Sequence, residues 1–163
     1  MHPVTVKPGD TSLSKGFLGT AAPLYADLTL LLEMAMSVGL LVGAALARLG
    51  RFRAHAWCQA SIVLLNLVMI GFTMLPSFQR LILPKLPSTI GKPYYALSTV
   101  HGGLGIVAEI GGLYILLAAG TNLLPEKFRI RRYKFWMRSV LLFWWTVLLL
   151  GMATYTRWYV NLR

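Results

Sequence analysis

Residues 92–122, KPYYALSTVHGGLGIVAEIGGLYILLAAGTN, are apolar enough to span a bilayer, yet they carry His101 and Glu109 inside the run. An ionisable side chain at bilayer depth costs about 3 kcal/mol or more, so it turns to protein neighbours, a ligand or a water-filled cavity and away from lipid. Gly102, Gly103, Gly105, Gly111 and Gly112 remove side chains from the same segment, which lets adjacent helices or a flat cofactor approach its backbone. The segment reads as the central helix of a bundle, and the other segments must bring partners for its two polar groups.

The whole chain fits that setting. Of its 163 residues 56% are hydrophobic and 13% charged, with a mean hydropathy of +0.63, which is the composition of a single compact membrane domain. The formal net charge is +11, but the basic residues cluster beside apolar runs. Contact with lipid headgroups and control of topology explain that pattern, and no nucleic-acid partner is expected. Cys58 is the one cysteine and closes no internal disulfide; it reads as a small buried hydrophobe.

Four spans follow, at about 23–47, 55–75, 94–119 and 135–158, and they predict an all-α integral membrane protein, a four-transmembrane-helix antiparallel bundle over 23–159. Residues 1–22, with three glycines and two prolines among polar residues, read as an N-terminal tail, and 160–163 as a C-terminal one. The tail lacks the pattern of a signal peptide. Pro23 opens the first span, and Gly39 and Gly43 give it a small-residue face for helix packing. Asp27 lies near the start of this span, at the interface, where it reaches water. Pro76 closes the second span, and four prolines within 76–93 predict a long loop lying in the interface through Phe78, Leu81, Ile82 and Leu83.

Nine Lys and Arg fall in the two turns between Arg48 and Arg53 and between Lys127 and Arg138, against seven elsewhere. The concentration in short turns places those turns in the cytoplasm and both termini outside, in a prokaryotic-type inner membrane. Arg51, Arg53, Lys127, Arg129, Arg131 and Arg132 are the expected contacts with headgroups or a partner. Counting along the spans puts Glu33, Asn66, Glu109 and Thr146 within about 5 Å of the midplane, as one buried polar layer. The same count leaves His55 at the inner interface and His101 in the outer half, about 20 Å apart in depth, too far to ligate one iron together. His101 then either bonds a carboxylate such as Asp27 or holds a metal or haem alone. No CxxC, HExxH or P-loop is present, HGGLG follows no strand, and no catalytic residue is expected.

Three stretches, RFRAHAWCQ at 51–59, PYYALSTVHGGLGIVAEIGGLYILLA at 93–118 and WWTVLLLGMATY at 144–155, resemble the DUF420-like family of small four-helix membrane proteins, one branch of which contains a cytochrome oxidase assembly factor. His55 matches the family histidine that opens the second helix, and His101 the one that follows a YYA-type start in the third. Trp144, Gly151 and Tyr155 match a series in the last helix. The family's further histidines, ending the second helix and opening the fourth, are absent from the corresponding places near Pro76–Phe78 and Arg132–Lys134.

The resemblance implies a non-catalytic assembly factor or accessory subunit of a respiratory or related electron-transfer complex, with lipid and other membrane subunits as partners. A haem would take His101 or His55 and complete its ligands from a partner subunit. The alternatives are a haem-binding redox protein using His101, and a small proton or cation conductor using Glu33 and Glu109.

Overall fold

The computed structural model describes residues 16–86, 88, 91–121, 125 and 132–160. Helix α1 spans Leu24–Arg48, α2 Phe52–Met69, α3 Leu75–Leu81, α4 Pro93–Gly120 and α5 Tyr133–Tyr159, with no strand among the described residues. A π-helical turn, Ile70–Met74, joins α2 to α3, and a short 3₁₀ turn, Leu83–Lys85, follows. Four helical segments are long and apolar enough to cross a membrane: Leu24–Arg48, Phe52–Lys85, Tyr95–Gly120 and Tyr133–Tyr159.

Local chemistry sets the ends. Pro23 in extended conformation precedes α1, and Pro93 occupies the first turn of α4, where its missing N–H is no loss. Between α1 and α2 the chain reverses in three residues. Gly50 makes this turn at φ +73°, and the N–H groups of Leu49, Gly50 and Arg51 cap carbonyls of the last turn of α1.

The second apolar run does not end at Pro76, as its sequence predicts. A proline ring inside an α-helix clashes with the carbonyl four residues earlier, here that of Phe72, and this carbonyl lies in the wider π turn. The helical path therefore continues through Leu81, and the expected interfacial loop is replaced by structure that turns inward. Ile82 is 2% exposed and the Phe78 ring lies against Gly102, whereas Leu83 is 54% exposed.

Helix α1 packs against α2 and α5, and α4 packs against α5 and α2. Met36, Leu40, Ile62, Val63, Ala108, Trp144 and Leu148 form the shared core, and the Trp144 indole donates to the Ala108 carbonyl at 2.9 Å. The surface is inverted relative to a water-soluble bundle. On α1, Leu28, Leu31, Met34, Val38 and Leu41 face outward while Asp27 and Glu33 are buried.

Candidate functional site

A cavity of about 390 Å³ is walled by all four long helical segments. Glu33 of α1, Asn66 of α2, His101 of α4 and Gly151 of α5 all line it. Gly151 is what brings Glu33 and His101 together. A Cβ built on it would stand 2.7 Å from Glu33 Oε2 and 3.0 Å from His101 Cε1, so carboxylate and imidazole meet over the space of one absent methyl group. His101 Nδ1 donates to the Val147 carbonyl at 3.1 Å, since a carbonyl can only accept. In the neutral ring Nε2 is then an acceptor. The Glu33 carboxyl is 6% exposed and has no hydrogen-bond partner among the described residues.

Glu109 lies behind the cavity wall. Asn66 Nδ2 donates to Glu109 Oε2 at 2.8 Å, while Glu109 Oε1 is buried with no partner, in a side chain 4% exposed. Glu33 and Glu109 are thus tied to one region through Asn66, which faces the cavity on one side and bonds Glu109 on the other. Thr146 does not join them. It sits on the outward face of α5 and donates to the Leu142 carbonyl of its own helix. Three members of the expected polar layer are brought together and the fourth points away.

The histidines are held at separate levels. His55 Nδ1 donates to the Gly43 carbonyl at 2.8 Å and fastens α2 to α1. His101 adjoins Glu33, ten residues before Gly43 on α1, or about 15 Å along its axis. No group of three or more His, Cys, Asp or Glu able to hold a metal ion occurs among the described residues. As a fit for haem, His101 is the one histidine that lines the cavity among the described residues.

Asp27 departs from the expectation that it reaches water or bonds His101. It is 0% exposed and accepts from the Tyr155 hydroxyl at 2.6 Å and the Leu18 N–H at 2.9 Å. Thr20 Oγ1 lies 2.8 Å from the same Tyr155 hydroxyl, and Ala21 N–H donates to the Tyr159 carbonyl. Residues 16–22, expected as a tail, are clasped to the end of α5 beside the aromatic end of the cavity.

Most of the expected packing glycines meet a neighbour. A Cβ on Gly39 would touch Ile62, on Gly43 Gln59, on Gly102 Phe78, on Gly105 Val147, on Gly111 Val140, and on Gly112 both Val63 and Trp144. Gly103 differs: nothing lies within 4 Å of its Cβ position, and it is exposed, on the outward face of α4 with Ile106, Val107 and Ile110. Arg51, Arg53 and Arg132 are exposed, and Lys127, Arg129 and Arg131 lie outside the described residues.

Gly151 and the Asp27–Tyr155 clasp escape sequence reasoning about the site, although Gly151 and Tyr155 stand in the family-like series of the last helix. The signal for Gly151 is its spacing, seven residues or two turns after the buried Trp144. Comparisons with protein-family models, curated proteins and solved structures find no match.

Proposed function

We propose that the chain is an integral membrane protein, a four-helix antiparallel bundle of a prokaryotic-type inner membrane. It serves without catalysis of its own as an assembly factor or accessory subunit of a respiratory or related electron-transfer complex. The observation that carries this reading is the meeting of His101 with Gly151 against Glu33, because histidine and glycine belong to the two stretches that resemble the family and lie fifty residues apart in the chain. The paired contacts of Gly39 with Ile62 and Gly43 with Gln59, and of Gly105 with Val147 and Gly112 with Trp144, support the antiparallel order. The outward apolar faces suit lipid and neighbouring subunits. The test is isolation of the tagged chain in mild detergent with identification of co-purifying proteins. Redox-complex subunits are the expected company. A chain that purifies alone, and whose deletion leaves every membrane redox complex at its normal level, overturns the reading.

One observation favours a second reading, a haem-carrying redox subunit. A ligating histidine characteristically donates its other ring N–H to a backbone carbonyl, and His101 does so to Val147 within the cavity. The second ligand would come from a partner subunit. A pyridine-haemochrome assay on the intact complex, repeated with His101→Ala, decides it: haem that survives the substitution is held elsewhere.

A further inference from the structure

The cavity also specifies what it can hold. Glu33 brings a carboxyl that is nine-tenths buried, faces the cavity and has no hydrogen-bond partner among the described residues. Among the described residues no Lys or Arg lines the cavity beside it. A buried carboxyl is either kept neutral by its burial or charged beside a cation, and a ligand with a positive charge and hydrogen-bond donors supplies the second arrangement. Much of the polar lining is arranged to accept. Thr29, Thr73, Thr99 and Thr154, the four threonines of the wall, each donate to the carbonyl four residues back at 2.8 Å, which leaves their oxygens as acceptors. His101 Nε2 in the neutral ring is another.

The remaining wall is apolar or aromatic, with Tyr25, Phe78 and Tyr155 toward one end. Aromatic faces attract an organic cation, and apolar side chains receive its body. A bare metal ion needs several oxygen or nitrogen ligands, and no such cluster exists among the described residues. An anion would meet Glu33 with no counter-charge.

We infer that the cavity binds an apolar ammonium compound, a hydrophobic body carrying one protonated nitrogen, with the nitrogen on Glu33 and the body along the apolar and aromatic lining. This rests on the cavity and is independent of the accessory-subunit reading. The test is isothermal titration of the full-length protein in a neutral detergent with decylammonium, and with decanol as its uncharged counterpart. Expected is saturable binding of decylammonium, weakened about thirty-fold or more by Glu33→Gln, as follows from removing one partner of a buried charge pair. Decanol is expected to show no saturable binding. Equal binding by Glu33→Gln, or decanol binding as tightly as the amine, overturns the inference.

Discussion

A methyl group at position 151 would have to displace Glu33 Oε2, 2.7 Å away, or the His101 ring, 3.0 Å away. Gly151→Ala is therefore expected to lower stability by about 1–3 kcal/mol, the usual cost of overpacking a filled interior. Pairing it with Glu33→Ala should recover part of that loss, with a coupling of about 0.5–3 kcal/mol. Unfolding of the four proteins of the cycle in detergent measures it, and strictly additive effects would show that the two side chains do not compete for the space. Asn66→Leu is expected to cost about 1–3 kcal/mol, because it removes the hydrogen bond to a buried Glu109 whose other oxygen is already unpartnered. Adding Glu109→Leu should bring the protein back toward its original stability, since an apolar pair leaves no orphan behind. The burial of Glu33 and Glu109 is legible in the sequence, because a carboxyl within an apolar run has few places to go. Their partners are not legible: Asn66 is one amide in a polar-poor segment, and Gly151 contributes by lacking atoms.

At the level of the helices, periodicity is informative only where a helix has two distinguishable faces. Helix α5 is apolar nearly all round, so counting residues places Thr146 at the right depth and gives no account of its direction. The continuation past Pro76 is hidden for another reason. A π turn inserts one residue into the helical register and leaves no composition signal, so the prolines read as a loop. The inward course of this segment makes a sharp comparison between adjacent residues. Ile82→Ala is expected to destabilise the protein by about 2–5 kcal/mol, as for other deletions of large buried side chains. Leu83→Ala, at a position 54% exposed, should change stability by less than about 0.5 kcal/mol. Equal responses to thermal unfolding would return both residues to a surface loop.

Across the whole molecule, four apolar stretches of spanning length are plain from composition alone, and all four are helical. The orientation proposed for them places Arg51 on the cytoplasmic side. In a Cys58→Ser background, Arg51→Cys is expected to react with a membrane-impermeant maleimide only after the cells are opened, and labelling of intact cells would reverse the orientation. What composition does not disclose is the closure of the molecule by the clasp of residues 16–22, since it depends on one aspartate and one tyrosine 128 residues apart finding each other. Tyr155→Phe is expected to cost about 1.5–3 kcal/mol, the worth of a hydrogen bond to a charged group, and to speed hydrogen exchange at the Leu18 amide. That clasp also imposes an order in time. Thr20 leaves the ribosome 135 residues ahead of the tyrosine whose hydroxyl it meets, so throughout elongation the aromatic end of the cavity stands unfinished, and it shuts only when α5 has been made and laid beside α1.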